Sequence, residues 1–506
     1  MIAKVLLVIA FVAVAVAVGI YCRRHTGTVD GFILGGGNVG PWMSAFAYGT
    51  SYFSAVVFVG YAGQFGFKYG ISATWAGIGN AIIGSLLAWW VLGPRTREMT
   101  HRLQASTMPE FFGKRYDSRA LRIAAAAIIF VFLIPYTASV YNGLSRLFGM
   151  AFALPYDVCV IGMAVVTCIY VVLGGYMATV MNDFIQGIVM LLGIIAVIVA
   201  VILNNGGFSE AIISLSQIPA EGSAMQGPFV SFFGPDLFNL LGVVILTSLG
   251  TWGLPQMIQK YFGIKDDKQA KRGIVISTFF ALLVAGGGYF IGSLCHLFFT
   301  KETMPVQDYI VPTMLKLVRM PSVLLGVVLV LLIAASVSTL CSITLSAGST
   351  LSMDLIKARL KPSMTDKSVS SLTKVLCVIF VIGSYVVANT DTPILDMMSY
   401  SWGIISGSFL APYVVALYWK RMNRSGAWAG MWSGFLIALV PAVSKLLSLV
   451  GVSAPIVVKL AGLGPVFAVA AMIVSLLLCF AVSAIDNHAR QTKVNTFFYD
   501  GVVEQE

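Results

Sequence analysis

Hydroxyl side chains gather inside long apolar stretches of this 506-residue chain, where acids are scarce. One stretch reads Ala47-Tyr48-Gly49-Thr50-Ser51-Tyr52-Phe53-Ser54-Ala55, and another Thr247-Ser248-Leu249-Gly250-Thr251-Trp252-Gly253-Leu254-Pro255. Glycine, proline and short hydroxyl residues weaken a helix and can satisfy the backbone groups that a break frees. A third stretch runs from Ala334 to Thr344. Its Ala335, Ser338, Thr339 and Ser342 follow i, i+3, i+4, i+7 spacing, one face of a helix. Hydroxyls turned into an apolar interior must meet a partner. Either a neighbouring helix serves, or a dehydrated cation such as Na⁺, which needs several oxygens in place of water; residue chemistry leaves both open. Carbonyls freed at Thr50 and Phe53 would complete a cation shell. Asp183, at the start of an apolar run, is the acid to watch, since intramembrane carboxylates are functional candidates. A first-turn acid favoured by the helix dipole explains it equally well. Asp396 lies near the start of the eleventh run, close to the outer edge, and is assigned no role.

The elements that position these residues follow from composition. Hydrophobic residues make up 58% and charged ones 10%, against roughly 25% charged in soluble domains. The mean hydropathy is +0.89. A soluble globule, a disordered chain, a collagen, a coiled coil and a disulfide scaffold are all excluded. The fold class expected is all-α, a polytopic membrane protein of about 13 transmembrane helices of ~20 residues each. Apolar runs place them at 2–21, 42–64, 71–93, 121–149, 156–174, 183–204, 237–262, 273–299, 322–352, 372–389, 394–419, 426–449 and 464–485. The first is read as a retained span rather than a cleaved leader, because Arg23-Arg24 follows it. With the N-terminus outside, twenty-two of the 32 Lys and Arg residues fall on the inner side and six on the outer. The positive-inside rule therefore predicts N-out, C-in, in a plasma (inner) membrane.

Other chemistries fail on spacing. Gly35-Gly36-Gly37-Asn38-Val39-Gly40 matches GxGxxG formally but opens a membrane span with no strand before it. No Walker sequence, HExxH or Ser/His/Asp arrangement is present, so no catalytic residues and no enzyme activity are expected. The seven cysteines form no CxxC pair and the four histidines no paired spacing, which argues against disulfides and zinc. The net charge of +11 sits in short clusters between spans, so no nucleic-acid partner is expected. The expected partners are a small-molecule substrate, Na⁺ and the lipid bilayer, with a monomer sufficient.

The second and seventh spans carry the broken-helix signals and lie five spans apart. Interrupted helices in corresponding positions of two five-helix halves point to a secondary-transporter binding site. Ordinary kinks or small-residue packing faces are the alternative.

The chain resembles the sodium:solute symporter family. The resemblance is carried by Gly40-Pro41-Trp42 and the polar run after it, by Gly174-Gly175-Tyr176-Met177-Ala178 through Asn182-Asp183-Phe184-Ile185-Gln186-Gly187, and by Ser338-Thr339-Leu340. It extends through Ser399-Tyr400-Ser401-Trp402, Pro412, Trp419-Lys420-Arg421, Gly426-Ala427 and Ala429-Gly430-Met431. It implies a core of two inverted five-helix repeats (a LeuT-type fold) and Na⁺-coupled import of a small organic solute by alternating access. The organisation then divides as 1–40, an extra helix and loop; 41–204, the first repeat; 205–236, an extracellular loop; 237–419, the second repeat; and 420–506, two further helices and a short tail. The resemblance places the main Na⁺ site on the carbonyls of Thr50, Phe53 and Ala335 with the hydroxyls of Ser338 and Thr339. A second Na⁺ site, present in some members, maps to Asp183, Ser338 and Ser342, but Cys341 replaces a serine there and a thiol is a poor Na⁺ ligand. Expected substrate contacts are Tyr52, Ser54, Ala55, Thr251 and Trp252. The proline and pantothenate branches are nearest. Asn182-Asp183 through Met190 and Gly253-Leu254-Pro255 lean to pantothenate, and Tyr52, Ala55 and Thr247 depart from the proline pattern. The solute expected bears a carboxylate, such as pantothenate, an amino acid or a monocarboxylate; proline, a sugar, or a non-transporting sensor or channel of the same fold are the alternatives.

Overall fold

Apolar runs with few strand signals have one economical way to satisfy their backbone in a membrane, the helix. The computed structural model follows this rule. It describes residues 2–486 except 24–27, 36–38, 55, 153, 221–224, 265–266, 300–302, 304–306, 319–320, 391 and 453. Ala55, most of the glycine run and the C-terminal tail thus lie outside the described residues. Among those described the chain is helical, with one isolated parallel bridge between Val39 and Ile264. Among the described residues ten helices are long and apolar enough to cross a membrane, and an eleventh forms if the bent pair Leu237–Gly253 and Pro255–Phe262 counts as one span.

Burial separates a centre from a periphery. The most apolar window of Ile394–Tyr418 is 83% buried and that of Val323–Leu360 is 78%, against 28% for Val5–Cys22 and 33% for both Arg424–Ser448 and Gly464–Ile485. The central helices carry the hydroxyls: Ser336, Ser338, Thr339, Thr344, Ser401, Ser406 and Ser408 are all fully buried. Large apolar side chains such as Trp90, Leu203, Phe238 and Val275 point outward. This polar-in, apolar-out arrangement suits a lipid surround.

Both predicted breaks form. The helix Pro41–Tyr52 ends at Phe53, which is extended (φ −104°, ψ 97°), and a π-helical turn resumes at Val56. In the seventh span, Leu237–Leu249 passes into a 3₁₀ turn over Gly250–Gly253, and a new helix starts at Pro255 after a 49° bend. The freed backbone is satisfied by neighbours. Ser406 of the eleventh span donates to the Gly250 carbonyl at 2.5 Å.

A third break corrects the sequence reading. Helix Tyr156–Asn204 is kinked at Gly175 (φ 55°, ψ −150°), a conformation that favours glycine. The sixth span therefore starts near Tyr176, and Asp183 lies two turns inside it. It is neither a cap nor a first-turn acid. One close approach also needs glycine. Gly66, after the second-span break, packs backbone to backbone on Gly292 of the eighth span, and a Cβ on Gly292 would collide with the Ala62 carbonyl.

Two buried carboxylates anchor polar clusters. Asp308 meets Arg146 at 3.3 Å, Gln64 at 3.1 Å and the Ile394 N–H at 3.5 Å. Asp354, just past the ninth helix, accepts from Arg122 at 2.7 Å and from Thr107 at 2.6 Å.

Candidate functional site: a carbonyl and hydroxyl cluster between two broken helices

The second-span break opens directly onto the ninth helix. Among the described residues no backbone N–H past the break returns to the Thr50 carbonyl. That oxygen instead lies 3.2 Å from the Thr339 hydroxyl. The same hydroxyl is 3.4 Å from the Ser51 carbonyl and 3.1 Å from that of Ala335. Three carbonyl oxygens thus surround one hydroxyl, which has a single proton to donate. The cluster is fully buried and rich in unpaired oxygen lone pairs, so it favours a small cation. Thr50, Ala335 and Thr339 come together around this hydroxyl. Phe53 occupies the extended step itself, and no bond from the ninth helix to its carbonyl appears among the described residues. Ser338 turns the other way and donates to Asp183 Oδ1 at 2.5 Å.

Asp183 accepts a second partner that composition did not reveal. Lys260 Nζ lies 3.1 Å from Asp183 Oδ2 and 3.1 Å from Ser342 Oγ, over the Tyr176 ring. Its side chain is 2% exposed. By charge counting Lys260 reads as a loop cation on the inner side; the structure buries it in helix Pro255–Phe262. The missed signal was its place six residues after Leu254, within the apolar run of a broken span.

The profile of the sodium:solute symporter family matches residues 32–434. The chain belongs to that family. Na⁺ is accordingly its coupling ion, and this symporter is a multi-pass transmembrane protein. It is 28% identical over 437 residues to the osmoregulated proline transporter of Bacillus subtilis, covering 84% of this chain and 85% of that protein. It is 28% identical over 439 residues to the sodium/proline symporter of Salmonella typhimurium, with 84% and 85% covered. These relatives stand on the proline side, against the lean to pantothenate drawn from single residues. In fold it is similar to a Na⁺-coupled sialic acid symporter in a substrate-bound, outward-open state, with a TM-score of 0.78, 17% identity, and 97% of this chain and 99% of that one covered. A nucleobase-cation-symport-1 family transporter in a closed conformation is more distant, at TM-score 0.51 and 13% identity, with 91% and 96% covered.

A second polar wall of the symporter faces the two breaks. Tyr52 stacks on Phe53 with centroids 4.2 Å apart and donates its hydroxyl to the Thr247 carbonyl. Trp402 lies 6.2 Å from it. Thr251 faces the phenols of Tyr48 and Tyr52 and donates to Ser248 O at 2.9 Å. Ser54 is buried and accepts from Val56 N at 3.2 Å, so it braces the break. Trp252 is half-buried and spends its indole N–H on the Ile83 carbonyl at 3.0 Å, which turns it toward the third span. A further residue that sequence reading missed is Asn80. With its amide nitrogen toward its acceptors, it lies 2.9 Å from the Tyr52 hydroxyl and 3.1 Å from Thr247 Oγ1. A lone amide in an apolar run was the available signal.

Proposed function

We propose that this symporter imports a small carboxylate-bearing solute, with Na⁺ bound by the carbonyls of Thr50, Phe53 and Ala335 and the Thr339 hydroxyl, while Ser338 holds Asp183 beside them. The observation that carries the reading is the Thr339 hydroxyl, held against three carbonyls by a broken helix. A Na⁺ there would tie the second span to the ninth and favour one conformational state over the other, which is what coupling requires. A membrane potential of 100 mV adds ~2.3 kcal/mol for each charge moved inward. Solute binds between the breaks against Tyr52, Ser54, Ala55, Thr251 and Trp252, with Asn80 and Thr247 added to that wall. Half-helix ends there suit an anionic group. The proline symport of the relatives makes proline the first candidate; pantothenate, other amino acids and monocarboxylates follow.

The same reading takes the core as two inverted five-helix repeats over 41–204 and 237–419, with 1–40 and 420–506 outside it. The low burial of the first and last two long helices supports that division. Thirteen spans would follow if the bent pair counts as one, Val56–Leu103 divides at Gly70 and the shorter helix Tyr156–Ile169 is added. The orientation is N-out, C-in, in a plasma membrane. Uptake in proteoliposomes under an inward Na⁺ gradient, against a panel of amino acids, vitamins, monocarboxylates and sugars, tests the function. Saturable, Na⁺-dependent accumulation with counterflow is expected. Solute binding without flux would replace transport by sensing.

A further inference from the structure

Lys260 sits against Asp183 and Ser342, two of the three residues to which the family resemblance assigns a second Na⁺ site. Its ammonium is bonded to Asp183 Oδ2 and Ser342 Oγ, each at 3.1 Å, and faces the Tyr176 ring 5.3 Å from its centroid. Asp183 Oδ1 is taken by Ser338. Ser342 Oγ is also 2.8 Å from Ser51 Oγ on the second span. All of these side chains are buried.

We propose that the Lys260 ammonium is a tethered cation that fills the second cation position, so that the symporter takes up a single Na⁺ per cycle, at the Thr50–Thr339 cluster. The proposal rests on the Na⁺-symport reading. The Asp183 carboxylate needs a positive charge in a buried setting, and Lys260 supplies it from within the chain. The hydroxyls of Ser338 and Ser342 are already committed to that pair. Cys341 stands where the resemblance implies a serine, and a thiol is a poor Na⁺ ligand. A second Na⁺ would meet the ammonium at contact distance and be repelled. Because Lys260 follows the seventh-span break, its ammonium also ties that broken helix to the sixth and ninth helices beside the Na⁺ cluster.

The test counts bound ²²Na⁺ per chain on purified protein and measures the Hill coefficient for Na⁺ in reconstituted uptake. The unmodified symporter should bind one Na⁺, with a Hill coefficient of about one. In Lys260→Gln the carboxylate loses its partner, so a second Na⁺ should bind and the count should rise to two. Adding Asp183→Asn to Lys260→Gln should return it to one, and Lys260→Arg should stay at one. Two Na⁺ in the unmodified protein would overturn the proposal, as would a count of one in folded Lys260→Gln. Should Lys260→Gln fail to fold, the counts for the unmodified protein and Lys260→Arg decide alone. No bound Na⁺ and no Na⁺-dependent uptake would overturn the symport reading beneath it, a distinct result.

Discussion

Thr339 and Thr50, separated by 289 positions in the chain, meet at 3.2 Å, hydroxyl to carbonyl. The contact exists because the second span stops being a helix one turn beyond Thr50, and the ninth helix offers its hydroxyl face to the gap. A carbonyl in an intact helix already accepts one N–H from its own chain, whereas the break leaves the Thr50 oxygen without that partner among the described residues.

Thr339→Val keeps the volume and removes the hydroxyl. The Na⁺ concentration for half-maximal uptake should rise about tenfold or more, equivalent to at least ~1.4 kcal/mol. An unchanged Na⁺ requirement, measured by initial uptake rates, would remove Thr339 from the site.

Tyr52→Phe deletes the hydroxyl that reaches Thr247 and Asn80. Neutral hydrogen bonds contribute about 0.5–1.5 kcal/mol, so the solute KM should rise roughly two- to tenfold while Na⁺ affinity changes little. Asn80→Ala should act in the same direction. A shift in Na⁺ affinity alone would place both residues outside the solute wall.

Gly292→Ala forces a Cβ onto the Ala62 carbonyl, and backbone cannot yield as a side chain can. Overpacking of this kind costs about 1–3 kcal/mol, so melting in detergent should fall by several degrees. Gly40→Ala, where a Cβ meets nothing within 4 Å, is the control and should melt normally.

Asp308 supplies a pH dependence. Burial pushes its carboxyl up from the ordinary value, while Arg146 pulls it down. A raised carboxyl favours the protonated form in the folded protein, so its contribution is full below the ordinary carboxylate range and is lost as pH rises through the folded value. Arg146→Gln removes the downward pull and leaves the ionised carboxylate without its cation. Thermal stability of Arg146→Gln should therefore fall more steeply than that of the unmodified protein between acid and neutral pH. Parallel pH profiles would show that Arg146 does not govern this group.

What the sequence by itself determined was local and periodic. Composition demanded membrane helices, Gly-Thr-Ser and Gly-Pro runs marked the second and seventh breaks, and i, i+3, i+4 spacing put Ser338 and Thr339 on one face. It could not decide where side chains from distant helices point. Asp183 looked like a helix start because the kink at Gly175 depends on a left-handed backbone step that hydropathy does not record. Lys260 looked like one more basic residue at a membrane edge. Only the tertiary structure decided that Lys260 faces Asp183, that Ser338 serves that pair while Thr339 serves the carbonyl cluster, and that Asn80 meets Tyr52. The physical reason is that a buried charge or amide is satisfied by its partner, and partners here come from helices far apart in the chain.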